Sequence, residues 1–309
     1  MSQWAWGYAV ATVGRDGMPL CYYFSDPQLG VPDGAEDAEP DVRDEHEDAI
    51  RGVIVRSRVR VTADLDVPPA DVADAYLRLH LLSHRLARPN TVNLEGIFKV
   101  LPNVCWTSLG PIEVSEINAV RGRALGRGLY LDVRSVDKFP PMLDFVVPTG
   151  VRVADAARVR LGAHLAEGTT VMHEGFVNFN AGTLGPSMVE GRISQGVVVD
   201  ADSDIGGGAS IQGTLSGGGT QVISIGKRCL LGANSGLGVS LGDDCIVESG
   251  LYLTAGTIVT LPGGRQAKAR ELSGSSGLVF RRNSITGAVE AVTRPDKQVS
   301  LNADLHSAQ

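Results

Sequence analysis

The chain has 309 residues, of which 43% are hydrophobic and 38 are glycine, a composition that suits a packed, turn-rich protein of about two domains. A formal net charge of −7 argues against nucleic acid as the main partner, and no run of about 18 apolar residues could span a membrane. The amino terminus has no basic region ahead of its apolar stretch and is unlike a signal peptide, so we expect a cytoplasmic protein.

Residues 1–110 have the pattern of a separate α/β domain that begins with a hairpin. Aromatic and β-branched runs at 4–13 and 19–24 flank a glycine-bounded turn at 14–17, which predicts two antiparallel strands. The stretch 33–48 is acidic and poor in apolar residues. We therefore expect an exposed loop or the start of a helix there, rather than a metal site.

The rest of this domain is expected to contain a strand and a helix. Residues 53–63 alternate Val with Arg and Ser, which predicts a strand with one wet face, and two prolines open a helix from 68 to about 87. His80 and His84 lie one turn apart on this helix, but no third ligand is nearby in the sequence, which disfavours a metal site. The apolar stripe of the helix is Val72, Ala75, Leu79, Leu82 and Leu86.

Residues 111–149 are predicted to connect this domain to the next. Strand-like pieces occur at 111–114 and 129–136, and the proline-containing segment 138–141 marks the point where the chain meets the following domain. Residue types alone do not show what the connector does. Three arginines in it either face a carboxylate-binding site or lie on a solvated surface: Arg121, Arg123 and Arg127.

Residues 150–262 carry aliphatic residues at intervals of six. The first run comprises Val153, Val159, Leu165, Val171 and Val177. Steps of four at 189–193 and 237–241 reset the register without ending it. A short flat strand that ends in a corner every six residues produces this period, so the repeat predicts a parallel β-helix. Cys229 and Cys245 fall at small inward positions, which favours core packing over a disulfide, a metal site or a nucleophile.

Several segments in and after the repeat are more specific than hexapeptide repeats in general. They are GPSMVEGRIS at 185–194, DIGGGAS at 204–210, TLSGGG at 214–219, SIGKRCLLGANS at 224–235, KARELSG at 268–274 and FRRNS at 280–284. Together they resemble the tetrahydrodipicolinate N-succinyltransferases, in the form found in actinobacteria. The resemblance covers the chain from about residue 148 onward.

This resemblance implies a left-handed parallel β-helix after the α/β domain, in a homotrimer whose active sites lie between subunits. It also implies succinyl transfer from succinyl-CoA to the amine of ring-opened tetrahydrodipicolinate in lysine and diaminopimelate biosynthesis, with residues 263–309 contributing to the CoA site. The residues leave open an acetyl donor or, in another class, a non-catalytic scaffold. A γ-type carbonic anhydrase is disfavoured, because the repeat contains only His164 and His173 where three zinc-binding histidines are needed.

The resemblance also assigns site residues. The family's catalytic glutamate matches Glu190, at a slip in the repeat, and its role as general base or acyl-anhydride nucleophile stays open. Arg192 can pair bidentately with a carboxylate of either substrate. Contacts to the pantetheine arm are assigned to Gly207, Ser210, Ala233, Glu248, Ser249 and Gly256. Contacts to the CoA phosphates are assigned to Lys268, Arg281 and Arg282, next to Asn283 and Ser284.

A loop and a metal complete the expectations. The excursion at 214–224 contains three consecutive glycines and either closes over substrate or forms a passive bulge. The family is described with a magnesium ion on the trimer axis, and Glu174 matches one of its ligands. Ala157 replaces the companion acid, which puts the site in doubt; a Mg²⁺ ion held there would be structural.

Overall fold

The computed structural model describes residues 3–32, 44–217 and 220–293. Its contacts divide the chain into two units: unit 1 is Met1–Leu81 with Thr91–Pro140, and unit 2 is Leu82–Asn90 with Pro141–Gln309. Within the described ranges, every helix is too short or too polar to cross a membrane.

The elements of unit 1 are mainly antiparallel strands. They are β1 (Trp4–Gly14), β2 (Pro19–Phe24), β3 (Gln28–Leu29), β4 (Asp44–Asp48), β5 (Val53–Asp64), α1 (Val72–Ser83, which ends in unit 2), α2 (Ile97–Val100), β6 (Val104–Thr107), β7 (Gly110–Glu113), α3 (Ile117–Leu125) and β8 (Val133–Asp137). One sheet has the order β2-β1-β5-β4 with β3 beside β1, and a second has the order β7-β6-β8. The predicted hairpin of β1 and β2 and the strand β5 are confirmed.

The acidic stretch behaves differently from the prediction. Residues 44–48, expected in a loop or a helix, form the edge strand β4, paired antiparallel with β5; residues 33–43 of the same stretch lie outside the described ranges. Arginines offset the acidic charge, because Arg56 Nε lies 2.7 Å from Glu45 Oε2 and Arg15 Nη2 lies 2.9 Å from Glu47 Oε1. Pairing with the next strand in the sequence therefore overrides local composition.

The helix α1 is shorter than the predicted 68–87 and is not amphipathic. Residues 75–83 are all buried, whereas Leu86 lies beyond the helix and is 43% exposed, so its place in the apolar stripe was wrong. His80 is bonded at both ring nitrogens: Nε2 accepts from Phe24 N at 3.3 Å, and Nδ1 lies 2.8 Å from Tyr76 O. This environment leaves His80 no lone pair for a metal.

Of the segment predicted as a connector, residues 111–140 belong to unit 1, where they form part of its second sheet, and residues 141–149 belong to unit 2. Residue 110 begins β7, which pairs antiparallel with β6, and β8 pairs with the other edge of β6. The strand predicted at 111–114 is confirmed, while the one predicted at 129–136 begins only at Val133. The core beneath this sheet is Cys105, Ile112, Val120, Ala124 and Leu131.

Unit 2 is built from short strands. They are β9 (Arg152–Val153), β10 (His164–Leu165), β11 (Thr169–Val171), β12 (Phe176–Val177), β13 (Gly182–Thr183), β14 (Ser187–Val189), β15 (Arg192–Ile193), β16 (Val198–Val199), β17 (Ser203–Ile205), β18 (Ser210–Ile211), β19 (Ser224–Ile225), β20 (Leu230–Leu231), β21 (Gly236–Leu237), β22 (Ile246–Val247), β23 (Tyr252–Leu253), β24 (Ile258–Thr260), β25 (Gln266–Lys268), β26 (Leu278–Arg282) and β27 (Val289–Thr293).

From β9 to β23 the strands enter three parallel sheets in rotation, and we call this part the column. Face I contains β9, β11, β14, β17, β20 and β22; face II contains β12, β15, β18, β21 and β23; face III contains β10, β13, β16 and β19. The hexad aliphatics point inward and are buried, as the repeat predicts, from Val159 through Val259. The hairpin of β26 and β27 continues face I, because β26 pairs parallel with β22.

Candidate active site

Most of the predicted site residues lie along one corner of the column. Each strand of face I turns into the next strand of face II through a short segment that we call the I–II corner. Val189, Ile205, Leu231, Val247 and Phe280 are successive partners across face I. The residues just after them therefore stack along this corner: Glu190, Gly207, Ala233, Glu248, Ser249, Arg281 and Arg282.

The corner is cut short where it carries Glu190. Only Glu190 and Gly191 separate β14 from β15, whereas 206–209 separate β17 from β18. The Glu190 backbone stays in register, since its N–H donates to Ile205 O at 2.8 Å. A Cβ at Gly191 would lie 2.5 Å from Ala209 O, so the tight turn requires glycine there. The half-buried Glu190 side chain lies beside the next coil, where a Cβ on Gly207 would lie 3.5 Å from its Oε2.

Arg192 begins face II directly after this corner. Its Nη2 and Nε donate to Ser210 Oγ at 2.6 and 3.2 Å, and Ser210 is the residue paired with it on β18. The two predicted ligand-binding residues are thus in contact. Across the described ranges no carboxylate forms an ion pair with Arg192, so its charge is available to an anionic ligand.

Further along the corner, the predicted residues hold the hairpin of β26 and β27. Glu248 Oε2 accepts from Arg282 N at 2.6 Å, and Arg282 Nη1 donates to Gly287 O at 3.0 Å. Arg281 pairs with Glu290, with Nη2 and Oε2 3.1 Å apart, and still exposes 51% of its side chain. The Asn283 and Arg281 hydrogen bonds lower the pKa of the Glu290 carboxyl below its usual value.

Asn283 orders the turn of that hairpin. Its Oδ1 accepts from Ile285 N at 2.9 Å and Thr286 N at 3.0 Å, while its Nδ2 donates to Glu290 Oε1 at 2.8 Å. Ser284 lies exposed in the same turn. Asn283 thus shapes the backbone that presents the arginines, a role that residue type alone did not predict.

Two predicted site residues lie away from the I–II corner. Gly256 follows β23 at the opposite edge of face II, and Lys268 is an exposed residue of β25, paired with Ile258. The excursion docks next to Gly256, because Ser216 Oγ accepts from Ala255 N at 2.6 Å and Ser216 N donates to Gly238 O at 3.0 Å. Of the glycines predicted to close over substrate, Gly218 and Gly219 lie outside the described ranges.

The surroundings of Glu174 do not fit a magnesium ion. Arg158 Nη2 lies 4.0 Å from Glu174 Oε2, and Arg158 Nε lies 4.0 Å from Asp155 Oδ2. A guanidinium therefore already faces these carboxylates, and Ala157 supplies no ligand where a second acid was expected. Mg²⁺ demands a near-octahedral set of oxygen ligands.

The three arginines left open in unit 1 have different environments. Arg123 is structural, since its Nε donates to Ile50 O at 2.9 Å. Arg121 lines an open cavity of about 410 Å³ with Leu125, Tyr130, Leu131, Asp132 and Val133. Arg127 lies exposed after α3.

Tyr252 was not among the predicted site residues, although it lies on the same face as two of them. This tyrosine stands on face II in line with Ser210 and Gly236, and it keeps 48% of its surface exposed. The hexad predicts only that the residue before the inward Leu253 points outward. The ring lies against Gly236. This contact depends on the pairing of β21 with β23, so no local pattern in the sequence predicts it.

Two family descriptions match the chain. "Tetrahydrodipicolinate N-succinyltransferase middle" matches residues 101–140, and "Hexapeptide repeat of succinyl-transferase" matches residues 222–255. The first falls on the segment that forms β6, β7, α3 and β8, and the second falls on the column.

The similar proteins are all named as N-succinyltransferases. A 2,3,4,5-tetrahydropyridine-2,6-dicarboxylate N-succinyltransferase of Pseudomonas aeruginosa is 58% identical over 247 residues, which are 78% of this chain and 72% of that protein. One from Vibrio cholerae is 59% identical over 248 residues, with 78% and 71% covered. A crystal structure from Campylobacter jejuni, provisionally described as a 2,3,4,5-tetrahydropyridine-2-carboxylate N-succinyltransferase, has a TM-score of 0.78 at 32% identity and covers 94% of this chain and 92% of its own.

Proposed function

This chain belongs to the 2,3,4,5-tetrahydropyridine-2,6-dicarboxylate N-succinyltransferase family, and on that premise we propose that it succinylates the amine of ring-opened tetrahydrodipicolinate. The donor is succinyl-CoA, and the products are N-succinyl-2-amino-6-oxopimelate and CoA, in lysine and diaminopimelate biosynthesis. The observation that carries the proposal for this chain is the I–II corner, where Glu190 and Arg192 share one column with Arg281 and Arg282.

The fold proposed for unit 2 is a left-handed parallel β-helix, and the assembly is a homotrimer. Strands that enter three parallel sheets in rotation support the coil, and the hexapeptide match supports its kind. Glu190 and Arg192 lie on an open edge of the column. A second column beside this edge would supply the opposite wall of a groove, which agrees with an active site between subunits.

The length of the corner suits CoA. Four strand spacings separate the coil of Glu190 from that of Arg281, about 19 Å in all. The arm of CoA from sulfur to the first phosphorus has roughly 13 bonds, which span about 15 Å when extended. The extended arm and an arginine side chain together can therefore cover the distance between the two coils. A thioester sulfur at Glu190 would leave the diphosphate of CoA within reach of Arg281 and Arg282. Gly207, Ala233 and Ser249 then line the path with small side chains.

The chemistry is aminolysis of a thioester. The substrate amine attacks the thioester carbonyl, a C–N bond forms, the C–S bond breaks, and CoA leaves as a thiolate that takes up a proton. If Glu190 is the general base, it accepts the proton lost by the amine. If it is the nucleophile, its carboxylate first takes the succinyl group as a mixed anhydride and displaces CoA thiolate; the amine then attacks the anhydride, which frees the Glu190 carboxylate, and the proton of the amine goes to the thiolate. Arg192, held by Ser210, binds a carboxylate and orients one reactant against Glu190.

Replacing Glu190 tests the proposal. We expect Glu190→Gln to lower kcat by about 10²- to 10⁴-fold, measured as free thiol released from succinyl-CoA with substrate present. Glu167→Gln is the matched control, because Glu167 is an exposed glutamate at another corner of the same column. Full activity of Glu190→Gln, or no thiol release by the wild type, would contradict the proposal.

Two further measurements settle what the assay alone leaves open. A succinyl adduct on Glu190 in protein quenched during turnover would assign it as the nucleophile, and its absence would favour the general base. Comparison of kcat/KM for succinyl-CoA and acetyl-CoA measures donor preference. We expect kcat/KM to be higher for succinyl-CoA than for acetyl-CoA, because only the succinyl chain carries a carboxylate for Arg192.

A further inference from the structure

Tyr252 is a half-exposed ring fixed on the open face of the column. A Cβ on Gly236 would lie 2.1 Å from Tyr252 Cδ2 and Cε2, so the ring rests directly on the glycine backbone. Its Oη also accepts from Gln212 Nε2 at 3.2 Å. The phenol edge is thus held by a hydrogen bond, and one apolar side of the ring remains open to a ligand.

Tyr252 belongs to the same row of face II as Arg192 and Ser210. Arg192 pairs with Ser210, Ser210 with Gly236, and Gly236 with Tyr252. Tyr252 also follows the corner residues Glu248 and Ser249 by only a few positions, so it flanks the I–II corner at that level. The next level of the corner carries Arg281, since Val247 pairs with Phe280.

We propose that Tyr252 is a positioning residue for the acyl donor, whose ring packs against the geminal dimethyl group of the pantoate part of CoA. This inference rests on the proposed function and on the path of CoA along the I–II corner. The carbon that bears the two methyl groups is three bonds from the first phosphorus, about 3.5 Å along an extended chain. The coil of Tyr252 lies one strand spacing, about 4.8 Å, from the coil of Arg281 and Arg282.

The chemistry of the ring fits that group. Near the diphosphate, the pantoate dimethyl is the bulkiest apolar part of the arm, and an aromatic face buries methyl groups without needing a polar partner. The phenol hydroxyl is engaged by Gln212, so the contact offered is apolar. Adenine, the other flat apolar part of CoA, lies beyond the diphosphate and is the competing occupant that the experiment must separate.

Binding of three ligands to the full-length protein by calorimetry tests the inference. Pantetheine contains the dimethyl group without phosphates, 3′,5′-ADP contains adenine and phosphates without the arm, and CoA contains both. We expect Tyr252→Ala to weaken CoA and pantetheine by about tenfold, the value for burying roughly 50 Å² of apolar surface, and to leave 3′,5′-ADP unchanged. Tyr252→Phe should keep wild-type affinity for all three.

A second variant keeps the ring but moves it. Gly236 is outside the left-handed region, so Gly236→Ala strains no backbone, yet its Cβ must displace the Tyr252 ring. We expect it to weaken CoA and pantetheine as Tyr252→Ala does. Tyr130→Ala is the matched control, since Tyr130 is an 81% exposed tyrosine of unit 1. Thermal unfolding of each variant shows whether the column is intact.

The outcomes separate this inference from the proposed function. Equal losses for 3′,5′-ADP and CoA would assign Tyr252 to adenine and overturn the contact with pantoate. Wild-type affinities in Tyr252→Ala would remove the role of Tyr252 and leave the proposed function intact, provided that wild type binds CoA and that Glu190→Gln is inactive. Failure of wild type to bind CoA would instead overturn the proposed function, and the role of Tyr252 with it.

Discussion

The two units are stabilised in different ways. The core of unit 2 repeats one contact, an inward aliphatic stacked on its equivalent one coil away, as Ile205 is stacked on Leu231. Unit 1 contains a polar centre instead: the fully buried Arg78 pairs with Asp74, with Nε and Oδ1 2.6 Å apart. The comparison teaches that inward positions of the column can be recognised from the period of the sequence, whereas the carbonyl partners of the buried charge, 11 to 15 residues away from it, follow no period.

Removing that charge should have the largest effect on stability. Arg78 donates to the backbone carbonyls of Asp64, Leu65, Val67 and Asn93 as well as to Asp74. Arg78→Met leaves these acceptors and a buried carboxylate without their donor, so we expect a loss of about 3–5 kcal/mol in the free energy of unfolding. Urea unfolding followed by tryptophan fluorescence measures it, because Trp4, Trp6 and Trp106 all lie in unit 1.

The same substitution at a surface pair is the control. Arg56 and Glu45 are 2.7 Å apart but 39% and 48% exposed, so Arg56→Met should cost less than about 1 kcal/mol. Equal costs for Arg78→Met and Arg56→Met would mean that burial of Arg78 contributes nothing and would break the distinction between the units.

In the column, the effect should depend on which way a side chain points. Leu231 is inward and fully buried, so Leu231→Ala should cost about 3 kcal/mol through lost burial and the cavity left behind. Leu230, its outward neighbour on β20, is partly exposed, and Leu230→Ala should cost less than half as much. Hydrogen exchange over residues 203–253 measures both. A larger effect at Leu230 would contradict the inward register.

These contrasts explain how far the sequence could be followed. The inward positions of the column were predicted because the period alone fixes them. The stacking of Arg281 in line with Glu190 was not, because it depends on the pairing of β26 with β22, which lies outside the repeat. The edge strand β4 was mispredicted because its partner β5 decides its conformation. Likewise Leu86 was placed on a helix that ends at Ser83, since α1 is buried all round and carries no single apolar stripe.

For the site residues too, the sequence predicted which residues are present but not which of them are in contact. The motif located Arg192 and Ser210 separately, but their hydrogen bond depends on the pairing of β15 with β18. The ring of Tyr252 on Gly236 also depends on pairing, here between β21 and β23. Residue identity therefore predicts which groups can bind a ligand, and coil geometry decides which of them can act on the same one.

Unit 2 should nevertheless lose stability in mild acid through one buried polar group. Burial, followed by the charges of Arg85 and Arg88, lowers the pKa of His164 to about 4 from the usual 6.5. Its Nδ1 finds no hydrogen-bond partner within the described ranges. The folded form thus prefers neutral imidazole, and its contribution to stability is full above about pH 6.5 and falls as the pH drops toward 4. We expect a loss of about 2 kcal/mol between pH 7 and pH 5.

His164→Asn isolates this contribution. The variant lacks the titrating group, so the difference in unfolding free energy between wild type and variant should shrink by about 2 kcal/mol from pH 7 to pH 5. Denaturant unfolding at several pH values, followed by far-UV circular dichroism, measures the difference. A pH-independent difference would show that His164 titrates normally in the folded protein.

The smallest effect on the free energy of unfolding is expected for the ion pair of Arg158 and Glu174. Arg158 and Glu174 are 40% and 78% exposed and 4.0 Å apart, so Arg158→Gln should change the free energy of unfolding by less than about 1 kcal/mol, in contrast to Arg78.

Because the guanidinium faces Glu174 and Ala157 adds no ligand, Mg²⁺ or EDTA should leave the Tm of wild type unchanged. A rise in Tm with Mg²⁺ that Glu174→Gln abolishes would show that the carboxylate prefers the metal to Arg158.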